Sequence, residues 1–194
     1  MGRLVDYRGR MLNHVEMLYQ PGERRLAIKA LEALGCKVAG ADKPTMIGFV
    51  ALDGEDSVNN VLYASEVAPE QWALEQAIKR ATQSNADLAK AYAVYQNRYR
   101  HRPHGIAHFG IRYPSYAKLE AALVHLEKRL DPELRGRFTV THVYRPADAD
   151  RRTDTLIQAF VATDIIASGL FAFGQLIELQ AQELEKNETR ARAA

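Results

Sequence analysis

The chain carries the same order of predicted elements twice, and this internal repeat constrains its fold more than any other feature. In the first half, residues 12–19 (LNHVEMLY) alternate in character with a period of two, which predicts a strand. Pro21 and Gly22 form a turn, and apolar residues at helical spacing then predict a helix that ends at Gly35. A polar turn is predicted over 53–59. Three short strands complete this half, at 36–39, 45–52 and 60–66.

The same order returns in the second half, from Gly105 onward. Its first strand, AHFGIRY (107–113), aligns with NHVEMLY (13–19), and each strand has a histidine near its start. An amphipathic helix is predicted over 116–130, with leucines on one face and charged residues on the other. Three further strands are predicted, at 138–144, 156–163 and 175–180. The repeated unit is therefore strand, helix and three strands, or βαβββ.

These patterns predict an α+β chain with a single domain over 1–194. A helical stretch between the two halves has a possible break at Ser84 and Asn85. The C-terminal residues are rich in Ala and Glu, and we expect a frayed helix or no regular structure there. The predicted parts are unit one at about 11–68, a helical connector at 69–100, unit two at about 105–181 and a charged tail at 182–194.

Composition narrows the class of protein. The chain has 194 residues, 47% hydrophobic and 26% charged, which is typical of an ordinary globular domain or at most two small ones. Cys36 is the single cysteine, so neither a disulfide scaffold nor a thiolate-rich metal site is expected, and a cytoplasmic location is favoured. The longest apolar stretch is interrupted by Ser168 and Gly169 and is far shorter than the roughly 20 residues that span a membrane. A net charge of +2 gives no reason to expect nucleic acid as a partner, despite the Arg and His residues at 98–104.

Three short motifs are the most specific parts of the repeat: NHV at 13–15, AHFGI at 107–111 and GQLIEL at 174–179. In this order, with a helix after each histidine strand, they resemble the vicinal oxygen chelate superfamily. That superfamily contains glyoxalase I, methylmalonyl-CoA epimerase, the fosfomycin and bleomycin resistance proteins and the extradiol ring-cleaving dioxygenases. The resemblance covers about 12–180. It implies that the two units form a half-open mixed β-barrel around a central metal site, with the helices outside, and that the chain pairs as a homodimer.

The resemblance also implies where a metal would be held, because the family draws its ligands from the first and fourth strands of each unit. Carried over to this chain, the ligands are His14, His108 and Glu178, and the fourth place is taken by Tyr63, a poor ligand for a divalent metal. Two imidazoles and one carboxylate form the facial triad that suits non-heme Fe(II). We therefore expect Fe(II) ahead of Mn, Zn, Ni or Co.

The fourth ligand position leaves an alternative open. Four protein ligands would suit the Zn, Ni, Co or Mn of a glyoxalase or epimerase. Glu66 lies three residues after Tyr63, so it reaches the same strand face only if a bulge intervenes. Glu16 is the other carboxylate that could take this place. Glu178 itself lies in an apolar strand and needs a positive partner, which could be a metal ion or Arg112.

Further polar residues are candidates for substrate binding or proton transfer. Glu16 and Arg112 lie two and four residues past the ligand histidines, hence on the same strand faces. They either contact the substrate or pair with each other as a structural ion pair. Tyr63 and Gln158 could present a hydroxyl and an amide to a ligand or simply fill the barrel. His142 is a candidate acid or base.

Two more segments have a structural and a functional interpretation. His101 and His104 have a spacing that resembles metal ligands, but Pro103 and Gly105 lead us to expect loop residues. The turn at 170–174 (LFAFG) contains two phenylalanines, which could line an apolar substrate pocket or pack against a second subunit.

Two functional hypotheses follow. The first is a metal-dependent enzyme whose ion binds a small molecule through two neighbouring oxygens and acts as a Lewis acid. Within it, an Fe(II) extradiol-type dioxygenase acting on a catechol-like aromatic is placed ahead of a lyase or isomerase acting on an enediolate-forming substrate. The second is a binding module that encloses a small aromatic or hydrophobic ligand without turnover, as the bleomycin resistance proteins do.

Overall fold

The computed structural model describes residues 12–50, 59–146, 148 and 155–183. The predicted turn over 53–59 lies outside these residues except for Asn59, and the predicted tail lies outside them from residue 184 onward. The described part of the chain is α+β, which confirms the predicted class. Within it, no helix combines the length and the apolar character needed to cross a lipid bilayer.

The first predicted unit is present as five elements: β1 (His14–Tyr19), α1 (Arg24–Ala33), β2 (Lys37–Ala39), β3 (Thr45–Phe49) and β4 (Val61–Glu66). Two connector helices follow, α2 (Pro69–Ser84) and α3 (Ala86–His101). The remaining elements are β5 (His108–Tyr113), α4 (Tyr116–Lys128), β6 (Phe138–Tyr144), β7 (Leu156–Thr163), β8 (Ile166–Ala167) and β9 (Gln175–Gln182). Short 3-10 turns lie at Pro132–Leu134 and Phe171–Phe173.

The strands form two mixed sheets, with the orders β2-β3-β4-β1-β8 and β5-β9-β7-β6. In each unit the first strand pairs in parallel with the last, β1 with β4 and β5 with β9, and the other strands of the unit pair antiparallel. Counted within its own unit, each sheet therefore has the order first, fourth, third, second. The internal repeat of the sequence is thus a repeat of sheet topology. The short strand β8 adds to the free side of β1 and joins the two units.

Alternation along the strands separates a buried face from a polar face. On β1, Met17 and Tyr19 are buried, whereas His14 and Glu16 are exposed. On β5, Ile111 is buried, whereas the residues at 108, 110 and 112, on the other face, are exposed. The buried faces pack in one core with leucines of α1 and α4. The predicted ligand histidines therefore lie on the sheet faces turned away from that core.

The connector is two helices, and the predicted break between them is confirmed. The Asn85 side chain accepts a hydrogen bond from the Leu88 amide at 2.9 Å and so caps the start of α3. The prediction of a loop residue at His101 is wrong, because α3 continues through His101. Pro103 disfavours helical backbone only at the residue before it, Arg102, where the helix ends.

The connector helices hold the turn that precedes β9. The carboxylate of Glu75 on α2 is buried and accepts hydrogen bonds from the amides of Phe171 and Ala172 at 2.8 and 2.9 Å. The Tyr99 hydroxyl on α3 donates to the Gln175 carbonyl at 2.7 Å. Gly174 has a φ of +72°, and a Cβ there would lie 2.9 Å from the Tyr99 hydroxyl oxygen, so only glycine fits.

Ion pairs fix the two units to each other. Arg137, just before β6, forms a bidentate pair with Glu23 at 2.6 and 2.9 Å and a further bond to Asp164 at 2.9 Å. Hydrogen bonds to the Glu23 carboxylate, helped by Asp164, raise the pKa of Arg137 above its ordinary value. On the neighbouring face, Lys29 of α1 pairs with Asp131 at 2.6 Å. Unit one therefore contacts unit two through side-chain hydrogen bonds as well as through the shared core.

The buried Glu75 carboxylate gives a prediction about stability. Replacing Glu75 by glutamine keeps its shape but turns one acceptor into a donor that faces a backbone amide, so we expect a loss of about 1–3 kcal/mol in unfolding free energy. Urea unfolding followed by circular dichroism measures it. Glu70→Gln on the exposed face of the same helix is the control and should change the value by less than about 0.5 kcal/mol. Equal effects at the two positions would show that the contact with the turn contributes nothing.

Candidate functional site

The parallel pairing of β5 with β9 brings two predicted metal ligands together. In this register Gly110 lies opposite Glu178, and His108 lies two residues before Gly110, on the same face. His108 Nε2 is 3.2 Å from Glu178 Oε2. The two side chains are 24% and 13% exposed, so the pair is partly shielded from water. The structure therefore brings two of the predicted ligands, His108 and Glu178, into contact.

The hydrogen bonds of His108 determine which ring nitrogen is available. Its Nδ1 lies 2.7 Å from the carbonyl oxygen of Ile106. A backbone carbonyl only accepts, so Nδ1 carries the proton and, in the neutral ring, Nε2 presents a lone pair to Glu178. A lone pair facing a carboxylate is favourable only when a proton or a metal cation bridges the two. This arrangement, with Nδ1–H held by a carbonyl, is the usual one for a metal-ligating histidine.

Apart from His108, the side chains that contact the Glu178 carboxylate are neutral amides. Gln158 Nε2 donates to its Oε1 at 2.7 Å, and Gln180 Nε2 lies 3.3 Å from the same oxygen. Arg112 could have paired with this carboxylate but donates to Gln182 Oε1 at 3.0 Å instead. Within the described residues, no Lys or Arg forms an ion pair with Glu178. A nearly buried carboxylate held by amides leaves negative charge that favours a bound cation.

The register of the two sheets relates Tyr63 to Glu178. In unit one, the residue two past the histidine, Glu16, lies opposite Tyr63. In unit two, the residue two past the histidine, Gly110, lies opposite Glu178. Tyr63 therefore occupies in unit one the register position that Glu178 occupies in unit two, as the sequence comparison of the two units predicts.

His14, the third predicted ligand, lies on the other sheet. As in His108, an oxygen acceptor faces its Nδ1 and determines which ring nitrogen carries the proton. Its Nδ1 lies 2.6 Å from Asn13 Oδ1, and the Asn13 amide donates to Asn59, which identifies Oδ1 as an acceptor for His14. The Nε2 lone pair of His14 is then available as it is in His108. The His14 ring packs against Tyr63, with ring centroids 5.2 Å apart.

His14 faces β5 across a cavity of about 290 Å³, whose lining includes Gly110 and Arg112. Among the residues that the structure describes, however, no three His, Cys, Asp or Glu side chains lie close enough to hold one ion. Two predicted ligands are thus in contact, and the third, His14, lines a cavity whose described lining includes neither of them. The donor set suits a divalent ion chemically, and His14 must approach the His108–Glu178 pair to complete it.

The two carboxylates considered for the fourth place have other partners. Glu66 Oε2 accepts from the Gly22 amide at 3.0 Å, and β3 pairs with β4 in an uninterrupted register, so the bulge that would turn Glu66 toward Tyr63 is absent from these strands. Glu16 Oε1 is 3.4 Å from Ser65 Oγ. Within the described residues Glu16 does not pair with Arg112, so the structural ion pair considered for them is not formed.

A cluster of histidines and aromatic rings lies beside the pair. A register shift in β6 at Val140/His142 places His142 opposite Phe160 of β7, which in turn lies opposite Glu178. His142 packs on Tyr144 with ring centroids 4.2 Å apart. Since one strand separates β6 from β9, His142 lies about 10 Å from Glu178, on the same sheet face.

His104 is a residue whose position the sequence does not reveal. Its ring lies 4.7 Å from the Tyr144 centroid and 5.1 Å from that of Phe160. Phe160 also contacts His108 at 5.4 Å, so one aromatic ring bridges His104 and His108. The only sequence signal was the spacing of His104 from His108, which the intervening Gly105 made uninformative.

The cysteine takes no part in this site. Burial raises the pKa of the Cys36 thiol to about 12, so the thiolate that would bind a metal is not formed near neutral pH. Imidazole and carboxylate remain the candidate ligands, as the composition predicts.

Comparisons of the chain with models of known protein families, with curated proteins and with solved structures find no match. The vicinal oxygen chelate interpretation therefore depends on the motifs and the geometry described above.

The contacts of the two histidines predict their tautomers. At a pH where both rings are neutral, we expect the proton on Nδ1 in His14 and in His108, because an oxygen acceptor faces each Nδ1. Long-range proton–nitrogen NMR spectra distinguish the two tautomers. His125, exposed on α4, is the control and should populate both. A proton on Nε2 of His108 would contradict the assignment of Nε2 as the ligand atom.

Proposed function

We propose that the chain is a metal-dependent enzyme of the vicinal oxygen chelate type. His14, His108 and Glu178 are the proposed ligands of one divalent ion, with Fe(II) as the first choice, and the two units form a half-open barrel around it. The observation that carries this proposal is the His108–Glu178 pair, in which the Nε2 atom and a carboxylate oxygen face each other at 3.2 Å in a partly buried position. A metal cation that bridges the two atoms makes that contact favourable, as a proton on Nε2 also would.

The repeated topology supports the choice of His14 as the third ligand. His14 and His108 begin the first strands of units with the same strand order, and each has an oxygen acceptor at Nδ1. Such matched positions are expected where two units share one ion between them. Tyr63, at the position that matches Glu178, leaves three protein ligands and favours the facial triad.

The proposed reaction is extradiol-type cleavage of a catechol-like ring. A bound divalent ion would supply Lewis acidity toward two neighbouring oxygens of the substrate. Ring cleavage also needs groups that take up and return protons. His142, about 10 Å from Glu178 on the same sheet face with Phe160 between them, is the proposed acid or base. Arg112 and Glu16, on the polar strand faces, are the proposed substrate-orienting residues.

Metal binding tests this proposal first. We expect the wild-type protein to bind one divalent ion per chain, and His108→Ala or Glu178→Gln to weaken binding by about 100-fold or more. Calorimetric titration and elemental analysis measure the affinity and the stoichiometry. His125→Ala removes an exposed histidine of α4 and should leave both unchanged. If the two ligand variants bind the ion as tightly as the wild type, the proposed site is wrong.

The reaction is tested separately. After anaerobic loading with Fe(II), oxygen uptake and the absorbance of ring-cleavage products are followed with a small panel of catechols. Oxygen uptake that is lost in Glu178→Gln supports the dioxygenase. A loaded protein that consumes no oxygen with any catechol would instead favour a lyase or isomerase that uses Zn, Ni, Co or Mn.

A binding module without turnover is the second candidate. It is favoured by one observation, that no three potential ligands converge among the described residues. In that case the metal-free protein should bind a small aromatic ligand, and divalent ions should leave its affinity unchanged.

A further inference from the structure

A second cavity, of about 720 Å³, lies beside the candidate metal site, between the connector and the second sheet. Helix α3 supplies one side, with Leu88, Ala91 and Tyr95. The turn before β9 supplies Phe173, and the start of β5 supplies His108, which also contacts Glu178. The cavity and the candidate metal site therefore share a side chain.

The lining of this cavity is apolar. Leu88 and Phe173 are each 41% exposed, an unusual condition for two large apolar side chains that face one space. Tyr95 packs edge-on against Phe173, with ring centroids 5.7 Å apart. The described residues that line the cavity include no Asp, Glu, Lys or Arg. Such a surface favours a neutral apolar group over an ion.

Two polar residues at the same surface, Ser168 and Gln175, have partners within the protein. The amide and the hydroxyl of Ser168 both donate to Gln175 Oε1 at 2.8 Å. The side-chain amide of Gln175 donates in turn, from Nε2, to the Leu176 carbonyl at 2.6 Å. Because these hydrogen bonds are satisfied within the protein, a ligand gains most here by burying apolar surface.

The turn side of the cavity is held in place. Glu75 fixes the Phe171 and Ala172 amides, and Tyr99 fixes the Gln175 carbonyl, so Phe173 lies on a backbone anchored at both ends. Phe171, the other phenylalanine of the turn, is buried near Trp72 and does not line this cavity. The two phenylalanines thus have different roles, one in the core and one at the cavity surface.

We propose that this cavity binds a neutral apolar substituent of the substrate, of phenyl to biphenyl size. Its volume exceeds that of a single aromatic ring, and His108 places it next to the site proposed for the two oxygens. The substrate class is then a catechol-like ring with a bulky apolar substituent, and this part rests on the proposed function. Binding of the apolar group itself does not depend on a metal.

The direct test uses biphenyl-4-methanol, which lacks two neighbouring oxygens, and metal-free protein in calorimetric titration. Ala91→Trp fills the cavity and should weaken binding by about 10-fold or more. Val94→Trp, at a position of the same helix that is 66% exposed and not part of the lining, should bind within about 2-fold of wild type. Leu88→Glu is a second variant, which places a charge in the cavity. Glutamate is favourable for helix formation at the third position of α3.

Each outcome bears on the proposal. Loss of binding in Ala91→Trp and Leu88→Glu, with Val94→Trp unaffected, supports it. Failure of the wild type to bind the probe overturns it, and so does binding that both lining variants retain. If sedimentation shows that the lining variants break a dimer while the probe does not bind wild type, the surface is a subunit interface and the proposal is wrong.

A parallel assay separates this inference from the proposed function. With Fe(II)-loaded protein, 4-phenylcatechol should show a KM at least about 10-fold below that of catechol, and Leu88→Glu should remove the difference. Probe binding without oxygen uptake supports the cavity and contradicts the dioxygenase. Oxygen uptake with equal KM values supports the dioxygenase and overturns the cavity as a substrate site.

Discussion

The parallel pairing of β5 with β9 is the constraint on which the site depends. Its register places His108 beside Glu178, and the same alternation places Ile177 and Leu179 in the core. A slip of one residue would exchange these faces, so the apolar side chains that stabilise the fold also fix the position of the carboxylate. The matching pair in the first sheet, β1 with β4, presents His14 and Tyr63 by the same rule.

The connector helices determine how β9 begins. Glu75 and Tyr99 bind the backbone of the turn before β9, and Gly174 allows that turn to approach Tyr99 closely. Helix α3 also forms one side of the apolar cavity that is lined by His108. A segment that joins two units in sequence therefore also positions the start of β9 and supplies a surface next to it, without contributing a proposed ligand.

Much of this fold was predictable, because alternation and helical spacing are local signals. The predicted bounds of β6 and β7 agree with the structure, as does the break in the connector at Asn85. Features that depend on distant residues were missed: the pairing of β8 with β1, the shift in β6 and the burial of Glu75. His104 belongs to the same group, since only the folded sheet brings it against Tyr144. The matched histidines were visible in the sequence, whereas their tautomers required the contacts of Nδ1.

In the proposed site, one cation joins the two units through His14, His108 and Glu178. Anomalous diffraction from crystals of the protein loaded with Zn(II) or Co(II) tests it most directly, because it locates the ion without assumptions about activity. We expect a single site with the Nε2 atoms of both histidines and a Glu178 oxygen about 2.0–2.2 Å from the ion. An ion bound elsewhere, or one held by His108 and Glu178 while His14 stays with Tyr63, would contradict it.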